Sequence, residues 1–70
     1  MTVLSDINEN KVFNDTITAF EVVDTSLNDR GDTYTVECKA TTSSGEHNVT
    51  VYYELSSSSY YWNYSQAIAQ

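Results

Sequence analysis

The stretch DTYTVECKATTSSGEHNVTVYYEL, residues 32–55, decides the fold because apolar and polar side chains alternate along two of its parts. In the first part the apolar set is Tyr34, Val36, Cys38 and Ala40. In the second part it is Val49, Val51, Tyr53 and Leu55. A period of two is typical of strands with one buried face. The intervening TTSSGEH, with Gly45 to supply a positive φ, predicts a β-hairpin with a slightly long loop.

Residues 15–27, DTITAFEVVDTSL, are β-branched and aromatic enough for a third strand. Their alternation is imperfect, since Phe20 and Val22 face one way while Ile17, Ala19 and Val23 face the other. A strand covered on both sides, or one with a β-bulge, has this pattern. The turn-forming residues 28–32, NDRGD, then connect this strand to the hairpin.

The two ends of the chain are less regular. Asp6 is a good N-cap and Glu9 follows it by three residues, which predicts a short helix with a capping box. Tyr60, Tyr61, Trp62 and Tyr64 favour a strand near the C-terminus. A helix face through Tyr61, Tyr64 and Ile68 is the alternative there, and we favour the strand.

These elements predict one small domain over residues 1–70, mostly β, with an antiparallel meander of three to four strands and a short N-terminal helix. An α+β arrangement is the alternative. A core of this size supplies little net stability, and small proteins often add disulfides, metals or a second copy. One cysteine and one histidine make neither a disulfide nor a zinc site, so a homo-oligomer is as consistent with this size as a monomer.

The sequence contains few residues suited to catalysis. His47 lies in a polar context at the start of a strand, and Cys38 points toward the predicted core, where a thiol is usually inert. The ten acids offer many carboxylate pairs, but 70 residues leave little depth for a substrate pocket. We therefore expect no enzyme, no catalytic residue, no cofactor and no metal.

The tripeptide Arg30-Gly31-Asp32 matches an adhesion motif, but its neighbours are residues that tolerate turn dihedrals, so we interpret it as a bend. The chain shows no signal peptide and no apolar run long enough for a membrane span. Together with an unpaired cysteine, this predicts a cytoplasmic protein.

The charge is strongly negative, with ten acids against three bases and a formal net charge of −7. Residues 1–32 hold seven acids and two bases, a net −5, and no base follows Lys39. Direct binding to nucleic acid or an anionic membrane needs the opposite sign. An acidic surface is instead attracted to basic clefts. The predicted partner-binding acids are Asp15, Glu21, Asp24, Asp29 and Asp32.

Aromatic residues are the second unusual feature, because six of nine lie within residues 52–64. Tyrosine and tryptophan are favoured interface anchors. Neighbours such as Tyr52 and Tyr53 must point to opposite faces of a strand, so only one can fill the core. The predicted partner-binding aromatic residues are Tyr52, Tyr60, Tyr61, Trp62 and Tyr64. Cross-strand packing alone is the simpler interpretation of these rings.

These features favour a non-enzymatic inhibitor that occupies the basic cleft of a nucleic-acid-binding protein, as a nucleic-acid mimic. Small acidic phage inhibitors of CRISPR or restriction machinery are proteins of this type. The alternative hypothesis is an assembly module that self-associates through a sheet edge or a tyrosine face.

Overall fold

A computed structural model describes residues 3–56 and 61–69, which form one helix and four strands. The elements are α1 (Val3–Glu9), β1 (Ala19–Leu27), β2 (Thr33–Thr42), β3 (Gly45–Leu55) and β4 (Trp62–Ala69). The strands form one open antiparallel sheet in the order β1-β2-β3-β4. The predicted mostly β meander with a short N-terminal helix is therefore confirmed, and the C-terminal segment is a strand.

Strands β2 and β3 form the predicted hairpin. Their register is regular from the Thr33–Glu54 pair to the Thr42–Gly45 pair. Only two residues, Ser43 and Ser44, connect them, so the prediction of a longer loop is wrong. Gly45 has the expected positive φ, at 119°. The Thr42 hydroxyl accepts a hydrogen bond from the Ser44 amide at 3.2 Å, which helps to close the turn.

Strand β1 carries a β-bulge. The β1–β2 register shifts between Val22 and Asp24, so that Val23 is the extra residue. This shift explains the imperfect alternation, because each side of the bulge alternates correctly but with opposite parity. Of the two predicted explanations, the bulge is correct and coverage on both sides is wrong, since β1 is exposed along most of its length.

One face of the sheet carries the core. Inward side chains of the two central strands pack against the helix residue Ile7, and the segment that follows the helix adds partly buried apolar residues. The buried set is Ile7, Val36, Cys38, Ala40, Val49, Val51 and Tyr53. The apolar alternation predicted for β2 and β3 is thus the alternation of this face. Burial raises the pKa of the Cys38 thiol, which keeps it in the inert protonated form.

The predicted helix start is wrong. Helix α1 begins at Val3, so Asp6 lies inside it and is not an N-cap. Asp6 is only 4% exposed, and its Oδ2 accepts a 2.7 Å hydrogen bond from the hydroxyl of Tyr53. This contact joins residues 47 positions apart in the sequence, and it outweighs the local capping preference of Asp6.

The end of α1 is a Schellman-type turn. The amide of Lys11 donates to the carbonyl of Asn8, and the amide of Val12 donates to the carbonyl of Ile7, each at 3.2 Å. Lys11 has a φ of 52°, in the left-handed region that this turn requires and that glycine usually occupies. This turn directs the chain back across the sheet toward β1.

Candidate interaction surface

The sheet face opposite the core is polar and open, and we call it the open face. Its side chains alternate with the buried ones along β2 and β3, and the β1–β2 register extends it to β1. It carries five exposed carboxylates, namely Glu21, Asp24, Glu37, Glu46 and Glu54. The base on these strands is Lys39. The open face is therefore strongly negative, while most of the core lies behind it.

Two of these acids are directly opposed. Asp24 of β1 pairs with Glu37 of β2 in the register. Side chains so placed have Cβ atoms about 4.5–5.5 Å apart, and like charges there are destabilising. Lys39 lies opposite Glu21, and its Nζ is 4.0 Å from Glu46 Oε1, in the one ion pair found among the described residues. Lys39 thus pairs with Glu46 and lies opposite Glu21, and among the described residues no ion pair offsets the repulsion between Asp24 and Glu37.

The predicted acids Asp29 and Asp32 lie in the β1–β2 turn. The Asp32 carboxylate accepts hydrogen bonds from Asn28 Nδ2 at 2.7 Å and from the Thr33 hydroxyl at 3.3 Å. The Asn28 Oδ1 accepts from the amides of Asp32 and Thr33, each at 3.0 Å. The Asn28 hydrogen bond is the main reason that the pKa of Asp32 is lowered. Gly31 has a φ of 74°, so the Arg-Gly-Asp tripeptide is part of a turn, in which Asp32 has a structural role.

Asp15 lies at the other end of the sheet. Its Oδ2 accepts a 3.1 Å hydrogen bond from the hydroxyl of Ser44, in the β2–β3 turn. The ten residues of β2 separate this turn from the β1–β2 turn by roughly 30 Å. The structure therefore brings Glu21 and Asp24 together on the open face, but places Asp15 at one end and Asp29 and Asp32 at the other.

The consecutive tyrosines of β3 divide between the faces, as predicted. Tyr53 is 8% exposed in the core. Burial, with the hydrogen bond to Asp6, raises its pKa. Tyr52 lies half-buried on the open face, between Thr35 and Gln66 in the register. Tyr52 is thus the predicted aromatic residue that shares a surface with the clustered acids.

The other predicted rings lie at the start of β4. Tyr61 is 58% exposed and Trp62 is 39% exposed. Trp62 packs on Tyr34 with ring centroids 5.7 Å apart, and Tyr64 meets Tyr53 edge to face at 6.3 Å. Since Tyr34 and Tyr53 belong to the core side, these rings lie on the helix side of the sheet. Tyr60 lies outside the described residues.

The predicted acids and rings therefore do not form one surface. The sequence-based prediction also missed three carboxylates of the open face, namely Glu37, Glu46 and Glu54. Alternation had already placed Glu37 and Glu54 on the polar sides of their strands, but it does not show that these sides lie next to Glu21 and Asp24. The strand register supplies that information.

Within 3–56 and 61–69, no three His, Cys, Asp or Glu side chains are grouped to hold a metal ion. Over these ranges, no helix is long and apolar enough to cross a membrane. Comparison of the chain with protein-family models, with curated proteins and with solved structures finds no match.

Proposed function

We propose that this protein is a non-enzymatic inhibitor whose open face docks on a basic, nucleic-acid-binding protein and blocks its cleft. The observation that supports the proposal is the imbalance on that face, five carboxylates against one lysine. Such a surface attracts cationic clefts and repels nucleic acid and anionic lipid. Phage inhibitors of CRISPR effectors or restriction enzymes are the proposed type.

The spacing of the carboxylates supports mimicry of a nucleic-acid backbone. Positions two residues apart on a strand face lie roughly 6.5–7 Å apart, and neighbouring strands lie about 4.8 Å apart. The first separation is comparable to that of successive phosphates along a strand. Glu21 and Asp24 lie opposite Lys39 and Glu37, which are two residues apart on β2, so these two acids have a phosphate-like separation and Glu37 adds a third carboxylate on the neighbouring strand. Tyr52 on the same face supplies a ring for apolar contact.

The opposed pair Asp24 and Glu37 adds a second argument. The Asp24 carboxylate accepts a 2.9 Å hydrogen bond from the Thr25 amide, but neither acid has an ion pair with a base among the described residues. Local features that reduce stability are expected at functional surfaces. A cationic side chain from a partner would relieve the repulsion. The relief of this repulsion would add a favourable contribution to the free energy of binding.

The test is capture of a cationic partner at low salt, followed by elution with increasing salt. The double variant Asp24→Asn/Glu37→Gln should weaken binding about tenfold or more, since each close charge pair contributes at least ~1 kcal/mol. The control Asp15→Asn/Asp29→Asn changes the net charge by the same amount, from −7 to −5. It should weaken binding much less. Equal losses in both variants would show that only net charge matters and would contradict docking through the open face.

A second candidate function, assembly through a sheet edge, is supported by the composition of β4. This edge strand, WNYSQAIA, has no charged residue, and Ile68 is 45% exposed. The other edge, β1, carries Glu21 and Asp24, so two copies would repel each other there. Two negative chains can therefore approach most easily through β4, by pairing of unsatisfied edge groups.

Sedimentation at two salt concentrations separates the two functions. At about 0.1 M and 1 M salt the Debye length is about 10 Å and 3 Å, so self-association through β4 should persist or strengthen, while docking on a basic partner should weaken. Ile68→Lys should abolish a dimer, and Val23→Lys, at a position 56% exposed on β1, should not. A monomer at both salt concentrations contradicts assembly.

A further inference from the structure

A groove separates the second half of α1 from the start of β4, on the helix side of the sheet. Its volume is about 430 Å³, within the usual range for binding pockets. It is lined by Asp6, Glu9, Asn10, Tyr61, Trp62, Asn63 and Tyr64. Carboxylates form one wall and aromatic rings form the other. The groove is distinct from the open face, which lies on the opposite side of the sheet.

The helix wall has carboxylates in unfavourable places. Asp6 and Glu9 lie at positions i and i+3, so they share one side of α1. Asn10 follows the last helical residue, and its amide donates to the carbonyl of Asp6 at 3.1 Å, which keeps it on the same side. Glu9 is the last residue of the helix, where a negative charge opposes the helix dipole, and the last turn has no base. Asp6 is buried with a neutral tyrosine hydroxyl as its partner. A cation in the groove would compensate both carboxylates.

The strand wall supplies rings that remain exposed. Trp62 is held by its contact with Tyr34, and Tyr61 lies next to it in the chain. A cation over an aromatic face is attracted by the ring quadrupole, most strongly over tryptophan. The guanidinium of arginine is planar, stacks on such rings and also donates two parallel hydrogen bonds to a carboxylate. An anion would be repelled, and an apolar group would leave the charge of Glu9 at the helix end uncompensated.

We propose that this groove binds an arginine side chain of a protein partner. The assignment deepens the proposed function, on which it rests for the cationic character of the partner, and it adds a second contact on the other side of the sheet. In this assignment Tyr61 or Trp62 would stack on the guanidinium, and Glu9 on the opposite wall would accept its hydrogen bonds. A lysine ammonium would satisfy the charge but not the planar geometry.

The test is a titration with the blocked tripeptide Gly-Arg-Gly, followed by the fluorescence of Trp62, the one tryptophan in the chain. We expect saturable binding in the millimolar range, about 1–10 mM. The citrulline tripeptide, which is neutral and nearly isosteric, should bind at least about tenfold more weakly because it lacks the charge-assisted bonds. Gly-Lys-Gly should bind at least about threefold more weakly than the arginine peptide. Equal affinity for all three peptides, equal affinity for the arginine and lysine peptides, or no saturation with arginine would each overturn the assignment.

Matched variants locate the binding. Glu9→Gln should weaken binding of the arginine peptide at least about fivefold, while Glu46→Gln, the same change on the open face, should leave it unchanged. Equal effects of the two variants would overturn the groove assignment. Glu9 is exposed, so folding is not at risk. The Asp24→Asn/Glu37→Gln variant should also leave the titration unchanged, so a failure of open-face docking and a failure of the groove are seen in separate measurements.

Discussion

Replacing Tyr53 by phenylalanine tests the contact that fixes the helix on the sheet. The Tyr53 hydroxyl donates a 2.7 Å hydrogen bond to Asp6, and the two residues are 8% and 4% exposed. The variant keeps the ring but leaves a buried carboxylate oxygen without this donor. A hydrogen bond to a charged group contributes about 1.5–3 kcal/mol, so we expect a loss of about 2 kcal/mol. For a domain of this size, that lowers Tm by roughly 8–16 °C.

The measurement is urea unfolding followed by circular dichroism, with Tyr52→Phe as the matched control. Tyr52 is half-buried on the open face, on the side of the sheet away from α1, so its replacement should cost less than about 0.5 kcal/mol. The m-value should not change in either variant. Equal losses in the two variants would refute the argument that the Asp6–Tyr53 bond holds the helix.

The same residue gives a pH dependence whose sign follows from its pKa. Burial and the Asp6 hydrogen bond raise the pKa of Tyr53 in the folded state above the ordinary tyrosine value of about 10. The folded protein therefore holds this proton more tightly than the unfolded chain. The associated stability is complete below about pH 10 and decreases as the pH rises further. Tyr53→Phe should show a shallower alkaline loss of stability than Tyr52→Phe, and identical slopes would contradict the pKa shift.

Three other predictions concern separate features of the molecule. Glu37→Gln should raise the free energy of unfolding by about 0.2–0.5 kcal/mol, since it removes the repulsion with Asp24. Glu54 has no acid opposite it, so Glu54→Gln should not raise the free energy of unfolding, and urea unfolding of both variants tests the difference. Asn28→Ala should destabilise the protein by about 1 kcal/mol because two turn amides lose their acceptor, and an unchanged unfolding midpoint would show that water replaces it fully. Cys38, 2% exposed, should be alkylated by iodoacetamide only as fast as the protein opens, and immediate labelling of the native state would contradict its burial.

Much of the sheet could be predicted from residues 32–55. Alternation identified the buried side of β2 and β3, and the irregular alternation of β1 left a bulge and coverage on both sides as alternatives, between which only the register decided. The helix start could not be predicted, because the capping preference of Asp6 is a weak local signal. Its contact with Tyr53 is made by the folded protein across 47 residues, and such contacts outweigh propensity.

The sequence predicted only part of the grouping of side chains on the open face. Composition indicated an acidic and tyrosine-bearing surface, and Glu21, Asp24 and Tyr52 do lie on the open face. Asp32 was assigned to partner binding, but its carboxylate is used by the turn. The three missed carboxylates of β2 and β3 join the open face through strand pairing, which a count of charges along the chain does not contain.

The sequence by itself determined which side chains can share a strand face, because the period of two is a property of the extended backbone. Only the tertiary structure decided which strand faces became neighbours. The register set Asp24 against Glu37, and the packing of α1 placed Glu9 across a groove from Trp62. These arrangements depend on hydrogen bonds and burial between residues that are distant in the chain. The physical reason is that local periodicity fixes the direction in which each side chain points along a strand. The proximity of side chains from different elements is set by the pairing and packing of the whole sheet.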